Sequence, residues 1–276
     1  FLTGAYFVFK LPHDLHMLQQ NSYRNDRYLR WLNDDQNRII QKSDIMYLIG
    51  LIPALLPSFF PGLSHGVKVP LFVLGVPFMA LSVFMFFVRT TYQPAKKKLV
   101  YTARVKRLFF SAVVLGFAAL GLGLWANKAL FSLVQMAFII TYSSLFVLLA
   151  NVMNVPVESH IRNKFVRSAK DRLAQRPDRV LVGITGSYGK TSVKHILTEL
   201  TSRRFNVLMT PGSFNTTLGV VRTINEQLNT THDLFVVEMG AKEVGDIEEI
   251  CNIVPVDYGI ITSIGPQHLE TFGSIE

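Results

Sequence analysis

One cysteine, Cys251, is present in 276 residues, so the chain can close no disulfide within itself and offers no thiolate set for zinc. Charge is scarce as well. Asp, Glu, Lys and Arg make up 17% of residues, where an ordinary soluble protein has about 25%. Acidic residues are missing altogether between Asp44 and Glu158. A soluble domain seldom runs that far without a carboxylate, whereas lipid penalises an unpaired one by several kcal/mol. Apolar residues reach 49% and mean hydropathy is +0.30, which excludes a disordered chain and disfavours a wholly soluble one.

The formal net charge of +9 invites a nucleic-acid partner, but its distribution argues otherwise. Residues 1–155 hold 15 basic and 5 acidic side chains, whereas residues 156–276 hold 13 and 14. Four stretches in the first part approach the ~20 apolar residues that span a bilayer: 45–63, 69–88, 108–126 and 129–152. Residues 1–9 read as the remnant of a further span. Pro53, Pro57 and Pro61 allow either a kinked helix or a re-entrant segment in the first full stretch.

The basic segments 10–42, 89–107 and 161–179 alternate with loops holding one Lys each, Lys68 and Lys128. Basic loops stay cytoplasmic. The chain is therefore expected in a bacterial plasma membrane as a multi-pass protein, with its C-terminal part cytoplasmic, a lipid bilayer as partner and no nucleic acid. The apolar positions in 11–32 suit an interfacial or partner-docking helix. His13 and His16 lie in it without a carboxylate or Cys to complete a metal set. No carboxylate inside a span marks a transport path. Residues 156–179 read as a basic juxtamembrane helix at an anionic lipid surface.

From Val180 the pattern becomes short β-branched runs alternating with amphipathic stretches, as in βαβ units. Strands are expected at 180–185, 206–209, 234–238 and 258–262, and helices at 190–203, 218–228 and 246–253. The fold class is thus an α-helical transmembrane domain (1–155), a linker helix (156–179) and an α/β P-loop domain with a mainly parallel sheet (180–276). Ligands in such sheets bind beyond the carboxyl ends of the strands.

The first strand is followed by Thr185, Gly186, Ser187, Tyr188, Gly189, Lys190, Thr191 and Ser192. Glycines let backbone wrap a phosphate and the helix start supplies positive potential. Lys190 can reach the β/γ-phosphates of ATP, and the Thr191 hydroxyl can bind Mg²⁺. Glu238 ends the third strand, where an acid helps hold Mg²⁺. His268 follows the fourth strand, and residues 210–217 form a loop with Thr217 as expected helix cap.

Together these four loops resemble the central domain of the Mur ligases, most closely the D-alanyl-D-alanine-adding branch. Residues 185–191 resemble the TGxxGKT loop, 210–219 the TPGxxNxxxG segment, 236–240 the V-x-E-x-G strand end, and 258–270 the block ending in H-L-E. The resemblance implies an ATP-dependent carbon–nitrogen ligase acting through an acyl-phosphate on a peptidoglycan precursor, UDP-linked or lipid-linked, with an amino acid or dipeptide as the incoming amine. It implies that Lys190 binds ATP phosphates, that Thr191, Glu238 and His268 position Mg²⁺, and that Asn215 lies near the nucleotide. It also implies that a modified lysine and a further domain lie beyond Glu276, so the domain here is expected to be incomplete. A Mur-like synthase of poly-γ-glutamate or another envelope polymer, and a non-catalytic nucleotide-binding scaffold, are the alternative expectations.

Overall fold

The computed structural model describes residues 2–60, 62–92, 98–126, 129–267 and 272–273. It divides into two compact units, 1–158 and 159–276.

The first unit is helical: α1 (Leu2–Gln20), α2 (Asn25–Asn33), α3 (Lys42–Phe59), α4 (His65–Tyr92), α5 (Ala103–Ala126), α6 (Ala129–Thr141) and the start of α7 (Ser143–Ala174). Three helical segments are long and apolar enough to cross a membrane by length and composition: His65–Thr90, Ala103–Gly123 and Ser143–Ala174. The stretch 45–63 becomes α3, which continues through Pro53 and Pro57, while Pro61 lies outside the described residues.

Two sequence expectations change here. Residues 2–9 and 11–20 form one helix, α1, and its Phe7, Leu11, Leu15 and Leu18 are core residues beside α5 and α7. The apolar stripe thus faces protein. The stretch 129–152 is two helices meeting at Tyr142. The Ile140 carbonyl accepts from Lys10 Nζ at 2.8 Å, and Ser143 Oγ donates to Asp14 Oδ2 at 2.6 Å. Side chains from α1 therefore take up the polar groups at the break, which a sequence window cannot show.

Two carboxylates outside the expected spans, Asp14 and Asp44, are buried, at 3% and 0% exposure. Asp44 Oδ1 accepts from Lys10 Nζ at 2.7 Å and from the Tyr6 hydroxyl at 3.1 Å, while Oδ2 accepts from the Gln41 amide. Burying this pair is tolerable because both charges are matched and hydrogen-bonded.

The second unit is built on a four-stranded parallel sheet. Its strands are β1 (Val180–Thr185), β2 (Val207–Met209), β3 (Leu234–Glu238) and β4 (Tyr258–Ile261), in the order β2-β3-β1-β4. Alternation splits the strands between two cores. Leu181, Phe235 and Val237 face α9 (Thr217–Gln227), α10 (Asp246–Cys251) and the end of α7. Val182, Ile184 and Val236 pack with Val193 and Leu197 of α8 (Lys190–Thr201). Every residue of β3 is buried, as expected of a central parallel strand covered on both faces.

The segment 156–179 also differs from expectation. It continues α7 through Pro156, and its Val166, Ala169 and Leu173 pack on the sheet's core. Three of its arginines grip the turn before β3: Arg172 donates to Leu228 O, Arg176 to Thr230 O and Asp233, and Arg179 to Asn229 O and His232 O.

Asp233 closes this turn. It accepts from the Asn206 amide at 2.8 Å and from Arg176 at 2.7 Å, which holds its carboxyl below the usual range. A depressed carboxyl contributes stability above its unfolded pKa of about 3.9, and that contribution is lost as pH falls through the lower folded value. Asp233→Asn is therefore expected to lower the melting temperature near neutral pH and to flatten its acid dependence below about pH 4. A wild-type acid profile in the variant would remove Asp233 from the account.

Candidate functional site

The carboxyl ends of β1, β3 and β4 bring three loops to one edge of the sheet. The loop after β1 turns on two glycines. Gly186 has φ +135°, and a Cβ there would sit 2.3 Å from Thr262 Oγ1 and 2.8 Å from Ser263 O. No L side chain fits either restriction. Gly189, with φ +82°, occupies the N-cap of α8, where no side chain caps the helix. The first amides of α8, from Lys190 through Ser192, have no intrahelical acceptor.

The loop is braced from β4. Thr185 O accepts from the Thr262 amide at 2.9 Å, and the Ser187 amide donates to Ser263 O at 2.7 Å. The Tyr188 amide donates to Ser263 Oγ at 3.1 Å, and Ser187 Oγ donates to Gly265 O at 3.1 Å. The loop is thus preorganised before any ligand arrives. Lys190 folds back over it, donating to Gly186 O and, at 3.2 Å, to Ser187 O. Tyr188, Thr191 and Ser192 are exposed at its rim.

Glu238 is the hub. It is 1% exposed at the end of β3. Its Oε2 accepts from Thr191 Oγ1 at 3.0 Å and pairs with Lys194 Nζ at 2.9 Å. Its Oε1 accepts from Asn215 Nδ2 at 3.3 Å. Asn215 sits in the loop after β2, where its carbonyl also accepts from the Gly240 amide at 2.7 Å. Thr191, Asn215 and Glu238, separated by up to 47 positions, therefore meet at one carboxylate. Thr216, not Thr217, caps α9 by accepting from the Gly219 amide at 3.3 Å, and the Thr217 hydroxyl instead donates to Glu249. His268 lies outside the described residues.

Lys194 was not legible as a site residue. It is 0% exposed, pairs with Glu238, and donates to Gly212 O in the loop after β2. The available signal was its position one helical turn after Lys190 on the face turned to the sheet. Among the described residues no three His, Cys, Asp or Glu side chains converge as a metal site. The oxygens of Thr191 and Glu238 are nonetheless the hard donors that Mg²⁺ prefers, and that ion takes few protein ligands and completes its shell with water and phosphate.

The candidate site is thus a glycine loop, a lysine and a buried carboxylate at the strand ends of a parallel α/β sheet. Residues 184–276 match the family described as Mur ligase middle domain. Members of that family are ATP-dependent amide ligases.

The UDP-N-acetylmuramoyl-tripeptide–D-alanyl-D-alanine ligase of Mycobacterium bovis is 38% identical over 96 residues, covering 35% of this chain and 19% of that protein. The enzyme of the same name from Escherichia coli is 37% identical over 101 residues, covering 37% of this chain and 22% of that protein. Among solved structures, the MurF ligase of Thermotoga maritima in complex with ADP is 36% identical. It covers 41% of this chain and 26% of that one, with a TM-score of 0.38. The chain thus spans about a fifth of the length of the curated relatives it matches.

Proposed function

We propose that the chain is part of a membrane-anchored, ATP-dependent amide ligase of peptidoglycan precursor synthesis, of the MurF type. The observation that carries this reading is the meeting of Thr191, Asn215 and Glu238 beside the Lys190 loop, in a segment that matches the Mur ligase middle domain. The relatives' names supply the substrate class: a UDP-linked muramoyl tripeptide and D-alanyl-D-alanine. Membrane anchoring is supported by the three span-length apolar segments, and the basic segments 89–107 and 161–179, with two of those spans between them, support a cytoplasmic C-terminal unit.

The residues fit ATP and Mg²⁺. A cradle at Gly186 that a Cβ would fill, an uncapped helix start and a Lys190 ammonium resting on loop carbonyls suit a triphosphate. Bound Mg²⁺ would supply charge neutralisation at the transferred phosphoryl group. Thr191 and Glu238 would hold it. Lys190 would leave the Gly186 and Ser187 carbonyls for phosphate oxygens and stabilise the charge that develops there. Asn215 fixes Oε1 of Glu238, so the carboxylate meets its ligand without rearranging. The first amides of α8, which have no intrahelical acceptor, would bind phosphate oxygens. Lys194 already balances one charge at Glu238, so the site would hold Mg²⁺ jointly with phosphate rather than alone.

The test is ADP release by the complete gene product. Turnover is expected to require both UDP-muramoyl tripeptide and D-alanyl-D-alanine. Turnover driven by glutamate alone would reassign the chain to polymer synthesis. Nucleotide binding with no substrate-dependent release would reduce it to a scaffold.

A further inference from the structure

In the first unit a groove of about 660 Å³ opens between α1, α4 and the start of α5. One part of its wall is aromatic and apolar, with Phe9, Phe86 and Phe109. The other part carries His13, His16 and Arg89. The His13 ring stands edge-on to Phe86, with centroids 6.0 Å apart and planes at 84°, so the polar and apolar parts adjoin.

No carboxylate is among the lining residues. Asp14, next to His13 in sequence, is buried and accepts from Ser143. Arg89 forms no ion pair with any described carboxylate, and Asp35 acts on it only at longer range. The groove therefore offers a guanidinium outside any ion pair with a described carboxylate, and the His13 imidazole, beside a hydrocarbon-compatible wall, while His16 is already paired with the Gln20 side chain.

We infer that this groove binds a lipid phosphate: an alkyl or isoprenoid chain carrying a phosphate ester. The chain would lie against Phe9, Phe86 and Phe109 by van der Waals packing. The phosphate would take the fork of Arg89 and the ring N–H of His13. Charge complementarity selects this occupant over a neutral lipid, and the apolar wall selects it over a free anion. Arg89 also opens the basic segment 89–107, so the headgroup lies where the loop charges place the cytoplasmic face. The inference rests on the membrane reading of this unit and not on ligase activity.

Binding of dodecyl phosphate to the full chain in uncharged detergent, read by native mass spectrometry, tests it. One molecule is expected to bind the wild type, with dodecanol and inorganic phosphate at the same concentration displacing little of it. Arg89→Gln is expected to weaken binding about tenfold or more, and a further His13→Gln to weaken it more. Arg89 is exposed, so the variants should fold, and unchanged helicity by circular dichroism checks that. Equal binding by Arg89→Gln, or equal competition by dodecanol, overturns the inference. Full displacement by inorganic phosphate identifies a free-anion site and overturns the lipid. Each outcome is read without ATP, so it is separable from failure of the ligase reading.

Discussion

Lys190→Ala is expected to weaken ATP binding by about 10- to 100-fold. A hydrogen bond to a charged group contributes about 1.5–3 kcal/mol, and each 1.4 kcal/mol is about tenfold in affinity. In the structure the ammonium rests only on the Gly186 and Ser187 carbonyls, which are neutral acceptors that phosphate oxygens outcompete. The side chain is half-buried and joins no ion pair with a described carboxylate, so its loss should shift stability by no more than about 0.5 kcal/mol. Titration with a fluorescent ATP analogue separates the two effects. Unchanged affinity in a folded variant would remove Lys190 from the site.

Lys194→Met acts on stability first. It leaves the Glu238 carboxylate, 1% exposed, without its cation. Breaking one side of a buried ion pair costs about 3–5 kcal/mol, because the remaining charge stays desolvated. That is a large share of the about 5–15 kcal/mol that holds a typical domain together. The loop after β2 also loses the ammonium that anchors its Gly212 carbonyl. Both tryptophans, Trp31 and Trp125, lie outside the second unit, so tryptophan fluorescence does not report it. Hydrogen exchange of the β1 and β3 amides does. Exchange there is expected to accelerate by at least about a hundredfold. Lys194→Met combined with Glu238→Gln should recover most of the loss, since no lone charge remains buried. Wild-type exchange in the single variant would mean that the pair contributes nothing to the fold.

The two halves of the molecule were unequally legible. β1 and β3 run over the residues expected, because β-branched runs bounded by polar turns have no helical alternative. The loop 185–192 was legible for a similar reason: glycines, Lys190 and Thr191 stand together in sequence and carry their chemistry locally. Lys194 was not, because its partners are Glu238 and Gly212, and only the packing of α8 beside β3 joins them. Asp14 and Asp44 were missed in the same way. Each sits in a stretch with polar neighbours, and each is satisfied by a residue far along the chain, Ser143 or Lys10. The basic run 161–179 misled for the opposite reason. Its charge suits a lipid surface, yet Arg172, Arg176 and Arg179 are spent on carbonyls and Asp233 in the second unit.

The central claim is that ATP binds at the strand ends, against the loop after β1. Hydrogen exchange with and without saturating Mg·ATP measures this most directly. Amides of residues 185–192 and 210–215 should slow by about tenfold or more as loop opening becomes linked to ligand release, while those of α1 to α6 stay unchanged. Protection confined to any other segment, or none at saturating nucleotide, would contradict the account.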